Sequence, residues 1–137
     1  MSAKRLKKNL LNLLPGFIWA IVILLLTGLP GTYFPEVHSF WDWLEPDKVI
    51  HLIIFGSLSY LIIWGFRDEY AYKNNRNKLI FNSMIAGVIY GGLTEILQET
   101  VFVGRDGNIY DFMANTLGVP LGILLFHLLF KKRVITN

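Results

Sequence analysis

The chain has 137 residues, 53% of them hydrophobic and 17% charged, with a formal net charge of +3. The charges are unevenly spread: four charge-free runs, 9–35, 49–66, 79–94 and 112–130, hold 80 residues. A helix needs about 20 mostly apolar residues to cross a bilayer, so the pattern excludes an ordinary soluble domain and predicts an all-α integral membrane bundle of four transmembrane helices. The expectation is a single domain over 1–137, with helices at about 10–32, 47–66, 78–98 and 109–131. With no cysteine, disulfides, thiolate metal sites and thiol nucleophiles are excluded.

In chain order, Lys4, Arg5, Lys7 and Lys8 precede the first run. That run continues past Leu24-Leu25-Leu26 without a small-x-small cleavage site, too long for the h-region of a signal peptide, so an uncleaved span is expected. After it, Val37, Phe40, Trp41 and Leu44 recur at i, i+3, i+4 and i+7, and Glu36, Ser39, Asp42 and Glu45 fall mostly opposite. This spacing fits a short helix lying in the interface with Trp41 and Trp43 at headgroup level; the alternative is an irregular aromatic loop over the bundle. In segments three and four, Gly87/Gly91 and Gly118/Gly122 form Gly-x-x-x-Gly pairs that let helices approach within the monomer, and Pro120 removes a backbone hydrogen bond from segment four.

Eleven Lys and Arg residues fall on one side of these spans, against Lys48 and Arg105 on the other. The acidic residues divide the opposite way, with only Asp68 and Glu69 on the basic side. Positive flanks are retained in the cytoplasm, which predicts a multi-pass protein of the cytoplasmic (inner) membrane with both termini inside. Those flanks also account for the pI near 9.2, so no nucleic-acid partner is inferred. The expected partner is the lipid bilayer; the oligomeric state is not fixed.

On this topology the polar residues bordering segments two to four gather at the outer level. Asp47, Lys48 and His51 open segment two; Glu95, Gln98 and Glu99 close segment three; Arg105 and Asp106 lie in the outer loop; Asp111 and Asn115 open segment four. The i, i+4 spacing of Asp47 with His51, and of Asp111 with Asn115, gives each helix one polar face. Glu95 and His51 each sit roughly 6 Å inside a span end, where an isolated charge is costly, so they must be paired or neutral. They are the candidates for acid–base chemistry, with a buried staple through Arg105 or His51 as the structural alternative. Asp47 has the alternative of capping segment two, and Asp111 or Asn108 that of capping segment four. The planar fork of Arg105 suits a carboxylate or phosphate. Asn115, polar within a span, must hydrogen-bond another helix. His38 and His127 are assigned to the interface and to packing.

The expected ligand-binding set is therefore Asp47, Lys48, His51, Glu95, Gln98, Arg105, Asp111 and Asn115. Hydrolysis or transfer at a lipid headgroup suits these groups, but Gly-x-Ser-x-Gly and His-Glu-x-x-His are absent and Ser57 and Ser59 have no base at useful spacing. Asp47, His51, Glu95 and Asp111 have the makeup of an oxygen-rich metal site with one imidazole. That site depends on an approach of three helices which spacing alone does not establish, so no metal or cofactor is assigned.

Three stretches carry a resemblance: Asp47-Lys48-x-x-His51; Tyr90-Gly91-Gly92-x-x-Glu95-x-x-Gln98; and Arg105 followed by Asp111-x-x-x-Asn115-Thr116-Leu117-Gly118-x-x-x-Gly122. In their order and helix-end placement the chain resembles the VanZ-like family of small bacterial membrane proteins. Gly107-Asn108 stands where a Ser or Asp is expected, and Leu52 where Phe is common. The resemblance implies a role in the cell envelope, the name-giving member being associated with resistance to teicoplanin, a lipid-bearing glycopeptide. It implies no settled mechanism.

Overall fold

A computed structural model describes residues 3–30, 46–104 and 107–135. Its helices are α1 (Ala3–Thr27), α2 (Pro46–Gly65), the single turn α3 (Arg67–Tyr70), α4 (Lys73–Thr100) and α5 (Ile109–Ile135), with no strand among the described residues. Four of them, α1, α2, α4 and α5, are long and apolar enough to cross a membrane. The proposed interfacial helix between Pro35 and Pro46 falls on residues outside those described.

The helix ends differ from expectation at the basic flanks. α1 begins at Ala3 and stops at Thr27, α4 begins at Lys73, and α5 runs to Ile135. Lys and Arg are good helix formers, so the helices continue beyond the apolar runs, whereas Gly28 and Pro30 terminate α1 early.

Large apolar side chains face outward along every span: Phe17 and Leu25 on α1, Ile53 on α2, Ile89 and Ile96 on α4, and Leu121 on α5 are exposed. In water this surface would be an aggregation site; in a bilayer it is the lipid-facing wall. The chain is a multi-pass membrane protein. Its core is Ile23, Ile54, Phe55, Leu58, Ile63, Val119, Ile123 and Phe126.

Lipid supplies no hydrophobic drive between helices, so their packing rests on close approach and on internal hydrogen bonds. α2 and α5 cross at glycines: a Cβ on Gly122 would overlap the Gly56 carbonyl oxygen and Ser59 Oγ, and one on Gly118 would overlap the Leu52 carbonyl oxygen. At this crossing the Ser59 hydroxyl is 2.8 Å from the Val119 carbonyl oxygen and 2.9 Å from that of Gly56. Within the spans α1 is tied on by polar contacts: Trp19 Nε1 donates to the Ile54 carbonyl at 2.9 Å, Tyr90 Oη donates to that of Ala20, and Gln98 Nε2 donates to that of Thr27 at 3.1 Å.

At the end of the bundle where α1 begins, Lys8 Nζ meets Asp68 Oδ2 at 2.7 Å. Tyr70, fully buried, brings its hydroxyl to 2.8 Å from His127 Nδ1. Arg76 donates from Nε to the Tyr70 carbonyl at 3.0 Å and stacks its guanidinium over the ring. Burial holds the Tyr70 phenol above its ordinary pKa, a rise that the Arg76 charge opposes.

Candidate functional site

At the opposite end, the first turns of α2, the last turns of α4 and the first turns of α5 meet. Gly91 makes this meeting close, since a Cβ there would come within 3.0 Å of Asn115 Cβ. One turn further along α4 stands Glu95, within reach of the Asn115 amide. Asn115 Nδ2 donates to Glu95 Oε1 at 2.9 Å, and Asn115 Oδ1 lies 2.9 Å from His51 Nδ1. His51, Glu95 and Asn115 are all buried.

The direction of this chain follows from its acceptors. An ionised carboxylate only accepts, so Glu95 requires the NH₂ of Asn115, which turns the amide oxygen toward His51. The imidazole then donates from Nδ1, an arrangement that in the neutral ring leaves the lone pair on Nε2. Nε2 points toward Asp47, 3.8 Å from Oδ1 and beyond hydrogen-bond range. His51 Nδ1 and Glu95 Oε1, also 3.8 Å apart, are bridged by the amide rather than joined directly.

Asp111, 5% exposed, is also buried at this end. Its Oδ1 has no hydrogen-bond partner among the described residues. The capping role open to it in the sequence belongs to Asn108, whose Oδ1 accepts the Tyr110 N–H at 2.9 Å and whose carbonyl oxygen accepts the Asp111 and Phe112 N–H groups. Asp111 is thereby left to face α2, where ligand atoms of Asp47, His51 and Asp111 lie within 4.8 Å of one another. Asp47 is half exposed and closes the group on its outer side.

Lys48 lies over the Tyr110 ring, 5.5 Å from its centroid. Gln98 is buried at the same level, but its amide serves α1 through Thr27. Arg105 and Asp106 fall outside the described residues. Glu95 Oε2 accepts the Asn108 N–H at 3.1 Å and Glu99 Oε2 the Gly107 N–H at 2.9 Å, so both carboxylates grip the loop after α4. That loop turns at Gly104, whose φ of 74° lies in the left-handed region that glycine occupies without strain.

The loop grip is not legible in the sequence, where Arg105 or His51 is the expected partner of Glu95. The Tyr70–His127 bond was missed too, and a histidine inside an apolar run is the signal that could have found it.

A cleft of about 520 Å³ opens beside Glu95, walled by Gly92, Ile96, Ile109 and Phe112. A larger groove of about 580 Å³ runs along α2 and α5 between Trp19 and Leu129, and no residue of the polar cluster lines it. Of the cluster, Glu95 and Glu99 line the smaller cleft.

Among known proteins, the chain is 30% identical over 88 residues to the uncharacterized protein C11E3.10 of Schizosaccharomyces pombe. The match covers 64% of this chain and 51% of that protein, so the aligned region spans about half of the relative's length. No solved structure matches. A family model described as VanZ/LLP1 matches residues 2–130, which takes in all four spans and the whole helix-end cluster, and the chain accordingly belongs to the VanZ/LLP1 family.

Proposed function

We propose that this VanZ-like protein acts as one domain in the cytoplasmic membrane, with both termini inside, and binds the head of an amphiphilic, lipid-linked envelope component at its outer helix ends. The observation that carries the reading is the buried Glu95–Asn115–His51 chain, whose Glu95 borders a cleft with largely apolar walls. Buried hydrogen-bonding groups inside a membrane span are costly, and their position at the helix ends supports a place near the depth where a lipid changes from chain to headgroup. Asp47, Lys48 and Asp111 extend the polar surface toward the interface, and Arg105 supplies the group suited to an anionic head. Protection against teicoplanin, itself lipid-bearing, would then follow from traffic in such lipids. A relative in a yeast fits a ligand class that membranes share more widely than bacterial walls do.

The test is expression in a Gram-positive host of the wild type, Glu95→Gln and Arg105→Ala, at equal membrane abundance, with teicoplanin and vancomycin susceptibility measured and co-purifying lipids identified by mass spectrometry. Protection against teicoplanin alone, lost in both variants together with a retained lipid, is the expected result. Variants that protect and retain lipid like the wild type would sink the reading.

A second reading is favoured by the contact of His51 Nδ1 with Asn115 Oδ1, which in the neutral ring directs the lone pair to Nε2. With Glu95 behind it through Asn115, Nε2 has the lone pair of a general base for hydrolysis or transfer at the same headgroup. Glu95→Gln then cuts turnover about 100-fold or more while leaving much of the binding. If the cluster were only a staple, the variants would instead fail by loss of abundance.

A further inference from the structure

The cluster has an imbalance that lipid binding alone does not resolve. Three carboxylates, Asp47, Glu95 and Asp111, converge with one imidazole and the Lys48 ammonium. Glu95 is committed to Asn115 and to the Asn108 N–H. Asp111 is buried with Oδ1 unpartnered among the described residues, a state that costs free energy unless something occupies the space it faces. The group whose ligand atoms gather there comprises Asp47, His51 and Asp111.

We propose that Asp47, His51 and Asp111 form a binding site for a divalent transition-metal cation, held by two carboxylates and by His51 Nε2. The donor set points to the ion: two carboxylates balance a dication, and an imidazole beside them suits Mn²⁺ or Zn²⁺ better than Ca²⁺ or Mg²⁺. Ligand bonds of about 2.0–2.2 Å place donors on opposite sides of one cation up to about 4.4 Å apart, so donors within 4.8 Å need only a small rotamer adjustment to close on it. The orientation of His51 is prepared for this. Metal-bound histidines characteristically donate their other ring N–H to a fixed acceptor that sets the tautomer. The Glu95–Asn115 pair performs that task, leaving the lone pair on the nitrogen that faces Asp47 and Asp111.

Three protein donors leave coordination positions open, and the half-exposed Asp47 puts the open side toward the interface. A phosphate or carboxylate oxygen of an amphiphile could complete the sphere. That last role rests on the headgroup reading; the cation site does not.

Binding is measured on the full chain in detergent micelles after chelator treatment, without added lipid. Mn²⁺ is the first probe, followed by the electron paramagnetic resonance signal of the free ion, with Zn²⁺ and Co²⁺ as further probes. One Mn²⁺ per chain is expected, about 100-fold weaker in Asp111→Asn and in His51→Gln and about 10- to 100-fold weaker in Glu95→Gln. Asp68→Asn, at the other end of the bundle, keeps the wild-type affinity. Should a buried variant fail to fold, the half-exposed Asp47→Asn carries the comparison and must also weaken binding. No saturable uptake of any of the three ions, or equal uptake by the wild type and Asp47→Asn, overturns the proposal. Since no lipid is present, a chain that binds Mn²⁺ but captures no lipid counts against the headgroup reading alone, and one that captures lipid in chelator but never binds the ions counts against the metal site alone.

Discussion

Asn115 Nδ2 and Glu95 Oε1 lie 2.9 Å apart, a buried amide-to-carboxylate hydrogen bond between α5 and α4. Since the same amide serves His51 through its oxygen, Asn115→Ala strands two buried groups at once. Each unsatisfied group costs about 1–3 kcal/mol, so the variant should unfold several degrees below the wild type. Thermal denaturation of the purified chain, followed by circular dichroism, decides it; an unchanged midpoint means that the bond carries no stability.

Glycine substitutions should separate by helix face. Gly122→Ala drives a Cβ into the Gly56 carbonyl and Ser59 Oγ, whereas at Gly16 the nearest atoms to a Cβ are 3.7 Å away. Overpacking costs about 1–3 kcal/mol, while Ala gains up to about 1 kcal/mol over Gly in a helix interior. Gly122→Ala should therefore lower the midpoint of fluorescence-detected size-exclusion thermostability, and Gly16→Ala should hold or raise it.

Tyr70 makes stability depend on alkaline pH. Burial raises its phenol pKa above the ordinary value, so the neutral form is favoured in the folded chain. The associated stability is fully present below about pH 10 and is lost as pH rises through the raised folded value. Between pH 8 and 11 the unfolding midpoint of the wild type should fall more steeply than that of Tyr70→Phe. At neutral pH the variant should be less stable by about 1 kcal/mol, having lost the bond to His127. Parallel pH profiles would count against a buried phenol.

Orientation can be read by labelling, because the chain has no cysteine of its own. With both termini inside, Thr100→Cys should react with an impermeant maleimide in intact cells, and Asn74→Cys only after permeabilisation. The reverse pattern would invert the assignment made from the basic flanks.

The four spans were legible because a bilayer imposes its thickness directly on the composition of the chain. Their ends were less so: residues 73–77 are polar, yet they extend α4 because nothing in them breaks a helix. The gathering of His51, Glu95, Asp111 and Asn115 at one end could be read from topology and i, i+4 spacing. Which of them bonds to which could not, since that depends on the rotation of three helices, set by contacts such as Gly91 against Asn115. Spacing gave Asp111 and Asn108 equal claims to cap α5, and the structure assigns the cap to Asn108.

The glycine crossing of α2 and α5 also bears on how the end that carries Asp47 and Asp111 would respond to the proposed ligand. With Gly118 and Gly122 seated against the α2 backbone, the two helices behave as one stiff fork whose tips carry Asp47 and His51 on one side and Asp111 and Asn115 on the other. Sliding one tip past the other would break that seat, so the spacing of these four side chains is set before anything binds. Under the proposed binding role, recognition at this end would be governed by preorganisation, with little ordering entropy lost on capture.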